Sequence, residues 1–163
     1  MSFGRRDGQD YAAQGFVKVE MSDDDGNLET PWAERLPDAT NQFRLDNSPF
    51  YAYRVSADDV IEGEEFAQGL YRFVRVVRRS GNRTVRLLFD DKKADTPGGK
   101  LVLDQIVRLG CTYEGAFSKL VPITVPPDVA LEAVAAYLTS TRLDWEYADP
   151  TYSDLFGQTS AET

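Results

Sequence analysis

Half of the chain's eighteen basic residues fall between positions 71 and 100. Six of them are arginines: Arg72, Arg75, Arg78, Arg79, Arg83 and Arg86. Guanidinium groups bind phosphate, and the interleaved Tyr71 and Phe73 offer rings for base stacking, so the stretch has the parts of an anion or RNA surface. Alternation along a strand puts Arg72 and Arg78 on one face, Arg75 and Arg79 on the other. Further on, Thr96-Pro-Gly-Gly-Lys100 precedes a helical pattern, where free backbone N–H groups and a lysine can cradle an anion. Arg72, Arg75, Arg78, Arg79 and Lys100 are therefore the candidate anion-binding set. Against a nucleotide loop or nucleic acid stand three features. No basic-Gly-aromatic-Gly-aromatic motif is present, and Leu101 replaces the Ser/Thr of a nucleotide loop. The rest of the chain is strongly acidic, which repels a polyanion over a Debye length of ~8 Å. Nucleic acid is thus disfavoured, and a solvated face or internal pairing with acidic neighbours is the plainer use of these arginines.

The catalytic inventory is short. The chain has no histidine, so it cannot build a Ser-His-Asp or Cys-His relay or a His metal site. One cysteine, Cys111, excludes an internal disulfide and a thiolate zinc cluster. It follows Gly110 at an expected helix end, where the dipole disfavours a thiolate, so a small buried hydrophobe is expected. Asp23-Asp-Asp-Gly-Asn27 has the look of a calcium loop. Setting Gly26 at the turn glycine, however, puts Met21 and Trp32 at the first and last ligand positions, and neither is a ligand. No metal and no cofactor is expected. The neighbouring pairs Asp58-Asp59, Glu64-Glu65 and Asp90-Asp91 point to opposite faces of any strand. Asp46 and Asn47, ahead of Ser48-Pro49, are standard turn builders, and Glu114 sits at an expected hairpin tip. No catalytic residue is assigned.

Binding is the better use of this inventory. Tyr51 and Tyr53, expected on one strand face with exposed hydroxyls, join Asp46, Asn47 and Glu114 as the candidate partner or ligand surface. Phe43, Phe50 and Trp145 are expected in the core. The formal net charge is −9. Residues 1–70 carry 6 basic and 15 acidic side chains, residues 71–100 carry 9 and 3, and residues 101–163 carry 3 and 9. The chain is acidic with one basic segment. These features lead us to expect a non-catalytic binding or regulatory protein, for instance an inhibitor of the immunity or antitoxin type that covers a basic protein partner. Two alternatives stay open: a small enzyme using carboxylate and tyrosine chemistry, and anion or RNA binding through the arginine stretch. The polar N-terminus lacks the apolar core of a secretory signal, and no apolar run approaches the ~18–20 residues that span a bilayer. A cytoplasmic protein with no membrane partner is expected.

The elements that must position these residues fall into two kinds. Residues 1–14 read as a flexible leader. From 15 to 82 the pattern is β-rich: Phe16–Val19, Glu29–Leu36, Gln42–Leu45, Phe50–Val55 and Leu70–Val77, with Pro31 at an edge or strand start and turn clusters at Ser22–Asn27 and Asp46–Pro49. Short strands so punctuated predict a small β-barrel or a bent antiparallel sheet. Ser80-Gly-Asn82 is expected to join Tyr71–Arg79 to Arg83–Phe89 as a hairpin. From 83 to 150 the order is strand, helix, strand, strand, helix, strand. Val102, Ile106 and Leu109 mark the first helix, stopped by Gly110. Asp128 is the expected cap of the second, with Leu131, Val134 and Leu138 buried. Cys111–Tyr113 and Lys119–Val125 form a hairpin around Glu114-Gly-Ala116, and Leu143–Tyr147 is the last strand. This order predicts a ferredoxin-like βαββαβ lobe within an α+β protein. Residues 151–163 read as a polar tail.

Two stretches carry a resemblance: Phe43-Arg-Leu-Asp-Asn-Ser-Pro-Phe-Tyr-Ala-Tyr-Arg-Val-Ser-Ala-Asp-Asp-Val60, and Leu109-Gly-Cys-Thr-Tyr-Glu-Gly115 followed by Val121-Pro-Ile-Thr-Val-Pro-Pro127. With Trp32-Ala33 ahead of them, they resemble a bacterial family known as a domain of unknown function, common in actinobacteria and myxobacteria. The resemblance spans roughly residues 29–150 and implies kinship without an activity. Where that family often shows Gly before Asp-Val, this chain has Asp58.

Overall fold

Alternation in the first strand sets the architecture of the N-terminal half. β1 (Phe16–Ser22) buries Val17, Val19 and Met21 and turns the intervening side chains outward. It is preceded by a short helix, α1 (Gly8–Ala13), and followed by β2 (Leu28–Glu29), β3 (Trp32–Arg35), β4 (Gln42–Leu45), β5 (Val60–Ala67) and β6 (Leu70–Arg78). The computed structural model describes residues 8–90, 95–115 and 119–157. The register places apolar residues opposite one another: Val17 faces Ala33, Ala33 faces Leu45, and Phe43 faces Ile61. β6 then returns to β1 in parallel, Val19 beside Tyr71, and the ring closes. The result is a closed five-stranded barrel with β2 paired outside it on the end of β1. Its inward side chains form one cluster, with the Phe43 and Tyr71 rings 4.5 Å apart. Gly63 permits that ring contact, since a Cβ there would lie 3.0 Å from Tyr71 Cβ and 3.2 Å from Phe43 Cε2.

The C-terminal half comprises β7 (Arg83–Leu88), α2 (Pro97–Arg108), β8 (Thr112–Tyr113), β9 (Leu120–Val125), α3 (Leu131–Ser140), β10 (Asp144–Asp149) and α4 (Tyr152–Phe156). Its sheet is antiparallel, in the order β10-β7-β9-β8. Val85 and Leu87 on β7 and Val121, Ile123 and Val125 on β9 face Leu103 and Ile106 of α2 and Leu131, Val134 and Leu138 of α3. One face of the sheet is thus apolar and covered by helices. The molecule is an α+β fold in which a barrel and this second sheet meet. Among the described residues, no helix is long and apolar enough to cross a membrane.

Several local expectations change. β6 and β7 do not form a hairpin: β6 pairs with β5 and β1, whereas β7 pairs with β9 and β10. Ser80–Asn82 is the crossing from barrel to sheet, held by Ser80 N–H donating to Asp59 Oδ1 at 2.8 Å and Asn82 Nδ2 donating to the Ala57 carbonyl at 2.9 Å. Phe50–Val55 is not a strand, because side chains rather than a neighbouring strand satisfy its backbone. The stretch Glu29–Leu36 divides at Thr30-Pro31 into β2 and β3, which pair with different parts of β1. α3 starts at Leu131 with Ala130 in the cap position, so Asp128 does not cap it. Thr96-Pro-Gly-Gly-Lys100 does not precede the helix but forms its cap and first turn, where Thr96 Oγ1 accepts from Gly99 N–H at 3.1 Å. Gly110 does stop α2, at φ +101, where a Cβ would meet Val129 Cγ2 at 2.8 Å. At the two ends, the expected leader contains α1 and the expected tail contains α4.

Candidate functional site

Period two in β7 has a second consequence. Val85 and Leu87 face the helices, so Thr84 and Arg86 face the other way, and both are buried. The 46–59 connection between β4 and β5 covers them. Its backbone is satisfied by charged side chains from both halves. The buried Arg86 donates from Nη1 to the Phe50 carbonyl and from Nη2 to the Ala52 carbonyl. Glu29, from β2, accepts the backbone N–H groups of Phe50, Tyr51 and Ala52 at 2.8, 2.6 and 2.9 Å. Three successive amides aimed at one carboxylate form a nest, and Glu29 fills it. This is why the aromatic stretch 50–55 runs as an irregular arch: its hydrogen bonds go to Glu29 and Arg86 rather than to a ladder.

Beneath the arch lies a chain of buried hydroxyls and carboxylates. Ser48 Oγ pairs with Thr124 Oγ1 at 2.7 Å, Ser56 Oγ with Thr84 Oγ1 at 2.7 Å, and Ser56 Oγ donates to Asp149 Oδ2 at 2.6 Å. Asp59 accepts Ser56 N–H and Ser80 N–H on its two oxygens, at 3.0 and 2.8 Å. Arg79 reaches Asp149 at 3.2 Å. Burial holds the Asp149 carboxyl above its ordinary value, although Ser56 and Arg79 act the other way. Burial prevails because the Arg79 side chain is more than half exposed and its charge is screened by solvent. Position 58 takes φ +67, a conformation in which glycine is at ease and Asp is tolerated. The turn is fixed despite the Asp.

The arch also forms one wall of a groove. On its outer side Tyr53 lies over the Arg86 guanidinium, 4.6 Å from ring centroid to Cζ, and donates its hydroxyl to Glu146 Oε2 at 2.8 Å. Burial, and then that hydrogen bond to a carboxylate, push the Tyr53 phenol up to about 12. Burial also disfavours the charge of Arg86, opposed by Glu146, whose Oε1 lies 3.5 Å from Arg86 Nε. The opposite wall is α4. Thr151 and Asp154 close a capping box, and Arg54 clasps Asp154 through Nε and Nη2 at 3.2 and 3.3 Å. Tyr152 and Phe156, one turn apart, meet in a tilted contact with ring centroids 4.8 Å apart and contact Tyr147. Between the walls runs β10, with Trp145 and Tyr147 in edge contact at 4.8 Å. The groove, about 630 Å³, is lined by Tyr53, Trp145, Glu146, Tyr147, Tyr152 and Ser153. Tyr53, Tyr152 and Phe156 are 39%, 52% and 58% exposed.

The candidate partner residues do not gather in one place. Tyr53 is in the groove, and Tyr51 is exposed on the same arch but not on a strand. Asp46 accepts the Tyr11 hydroxyl at 3.1 Å beside the barrel, where Tyr11 stacks on Trp32. There it borders a second, smaller hollow of about 390 Å³ with Glu34, Arg44 and Asp58. Asn47 Nδ2 donates to the Ser48 carbonyl. Glu114 follows β8, at the opposite edge of the sheet from Glu146 on β10. The candidate anion set is dispersed too. Arg72 pairs with Glu20 at 3.7 Å, Arg75 with Glu62 at 3.4 Å, and Arg79 with Asp149. Arg78 ends β6, and Lys100 lies in the first turn of α2. Arg83 donates to the Pro126 and Val129 carbonyls. Asp23 accepts Asp25 and Asn27 N–H within its own turn. Cys111 is buried, and burial pushes its thiol up to about 11.

Sequence reasoning left Glu29, Arg86, Tyr152 and Phe156 out of both candidate sets, although it named Arg86 within the arginine stretch. Signals existed for three. Thr84 and Arg86 share the face opposite Val85 and Leu87, so the arginine had to be either solvated or enclosed. Thr151-x-x-Asp154 is a capping-box pattern, and Tyr152 and Phe156 sit four apart behind it. Glu29 carried none.

Barrel, helix-covered sheet and buried polar arch define an α+β class of protein built in two halves around one connection. Within that class, the chain belongs to the family described as a domain of unknown function, DUF4265, whose model matches residues 29–147. The match runs from Glu29, the last residue of β2, to Tyr147 within β10, and takes in the arch and the β10 floor of the groove. Among solved structures, the chain is similar to one described as "Novel crystal structure of a hypothetical protein from Neisseria gonorrhoeae", with a TM-score of 0.64 at 19% identity, covering 86% of this chain and 97% of that one. That likeness speaks to the fold alone. No curated protein matches the chain.

Proposed function

We propose that this is a non-catalytic bacterial binding protein, of the inhibitor or regulatory kind, whose acidic surface covers a basic protein partner. The observation that carries the reading is the groove between the arch and α4. It gathers exposed aromatic rings, which mark an interface rather than a solvated surface, and the carboxylates beside them suit a basic partner. Residues 131–157, which supply its floor and one wall, hold five acidic side chains and one basic, a balance of −4. The lone buried thiol agrees with a reducing, cytoplasmic setting. On this reading the second half is a ferredoxin-like lobe, supported by its sheet order, in which the fourth, first, third and second strands follow one another. The barrel half is a separate unit that the arch locks against it.

The test is capture from the source cell's lysate with the wild-type chain and with Tyr152→Ala plus Phe156→Ala. A partner of basic character, retained by the wild type, lost by the variant and associating more slowly at high salt, supports the reading. A partner held equally by both proteins, or none at all, overturns it.

A further inference from the structure

In the order β10-β7-β9-β8, β10 is an edge strand. Edge strands leave a row of backbone N–H and C=O groups without a ladder partner, and folded proteins blunt or cover them. Here the covering is partial. At the C-terminal end of β10, Arg54 N–H donates to the Ala148 carbonyl at 2.9 Å, and Thr151 bridges back to Ala148. α4 follows at once. Among the described residues, no strand lies along Asp144–Tyr147 on the side away from β7. The groove runs along that open length. Side chains of both faces reach it, Trp145 and Tyr147 from one and Glu146 with the overlying Tyr53 from the other.

We propose that the open edge of β10, from Asp144 to Tyr147, receives an extended basic segment of the partner by strand addition. This rests on the binding role proposed for the groove and names the manner of binding. Main-chain hydrogen bonds to the edge would supply affinity, and alternate side chains would supply selectivity. On one face the segment's apolar side chains lie against Trp145, Tyr147 and Tyr152. On the other its lysines or arginines meet Glu146, whose side chain is 44% exposed, and Asp144, which is exposed and has no ion pair among the described residues. Charge selects this occupant over a second copy of the chain. Antiparallel pairing of two β10 edges would bring Asp144 and Glu146 against the same acids of the other copy, and like charges across a ladder are destabilising.

A displayed library of random ten-residue peptides, selected on the whole chain, is the test. Selected peptides should alternate Lys or Arg with apolar residues. Their affinity should fall about tenfold or more with Asp144→Lys, a change at an exposed position. Synthetic versions of one selected peptide, N-methylated at every second amide, then probe the backbone. Methylation at one parity should cost about tenfold or more, and at the other parity should cost little. A selection without alternation or without binders, or equal tolerance of N-methylation at both parities, overturns strand addition. The binding role itself is judged separately. A lysate partner that depends on Tyr152 and Phe156, yet whose binding peptide is indifferent to N-methylation, leaves the role standing and removes only the strand-addition mode.

Discussion

The barrel and the second sheet solve the same problem in opposite ways. The barrel consumes its edges by closing β6 onto β1, and fills its inside with Val17, Val19, Phe43, Leu45, Ile61 and Tyr71. Its order therefore rests on shape, and a modest change of shape costs modestly. The sheet keeps both edges and has one apolar face under α2 and α3. Its other face is polar, with Thr84, Arg86 and Thr124 beneath the arch. There most buried polar groups rely on specific partners, and losing one leaves another orphaned. The half that must be specified most closely is also the half that presents a groove and an open strand. Precision in the arch serves the placement of Tyr53, which the apolar side of the sheet could not provide.

The sharpest way to break this comparison is to remove one anchor from each half. Arg86→Ala withdraws a charged donor from two carbonyls, Phe50 and Ala52, and is expected to cost about 3–6 kcal/mol, at about 1.5–3 kcal/mol for each such bond. Ile61→Val, a methylene lost from the barrel core, is expected to cost about 0.5–1.5 kcal/mol. Urea unfolding of the two variants measures both. A cost for Arg86→Ala no larger than that for Ile61→Val would mean that the arch does not depend on its arginine.

Glu29→Ala comes next. It leaves three amides of the arch to water, with an expected cost of about 1–3 kcal/mol. The effect should be local: hydrogen exchange at Phe50, Tyr51 and Ala52 should quicken while Ile61 and Leu87 keep their protection. Uniform loosening of both halves would show that the barrel and the arch are not the distinct kinds of construction argued above.

Much of the barrel and most of the sheet could be read from the chain, because both express period two or period 3.6 in apolar side chains. Val17, Val19 and Met21 announce their strand, and Leu131, Val134 and Leu138 their helix face. What could not be read was partnership. Tyr71–Arg79 and Arg83–Phe89 flank a Gly-containing turn and look like a hairpin, yet each has stronger partners elsewhere: β6 closes the barrel and β7 forms the middle of the sheet. Phe50–Val55 has strand composition, but Glu29 and Arg86 take its backbone groups, and neither residue is near in sequence. The groove was legible only in part. Tyr53 could be named, whereas Glu146 and the α4 aromatics gain meaning only when the arch brings Tyr53 over β10.

Asp149→Asn sharpens the comparison through pH. Burial raises the folded carboxyl above 3.8, so the folded state binds its proton more tightly than the unfolded chain does. The stability from that proton is fully present below 3.8 and is lost as pH rises through the folded value. The asparagine variant cannot lose it. Measured by urea unfolding at a series of pH values, the variant should gain on the wild type as pH rises from 3.8. A difference constant with pH would place the Asp149 effect in its hydrogen bonds alone. Among the described residues, no strand of the barrel buries a carboxylate, so Ile61→Val should track the wild type throughout.

The smallest effect is the most local. Tyr53→Phe keeps the ring over Arg86 and removes only the hydroxyl that donates to Glu146. One such bond contributes about 0.5–1.5 kcal/mol, and a residue this exposed belongs at the lower end. Stability should therefore scarcely change, and titration is the better readout. With a phenol pushed up to about 12, Tyr53 should be among the last of the eight tyrosines to ionise. Alkaline absorbance titration of Tyr53→Phe should lose that late step. Glu146→Gln should move the step earlier without abolishing it, because the carboxylate is removed while the burial that raises the phenol remains. If Glu146→Gln leaves the late step where it was, burial alone sets it, and the arch is not tied to β10 through this pair.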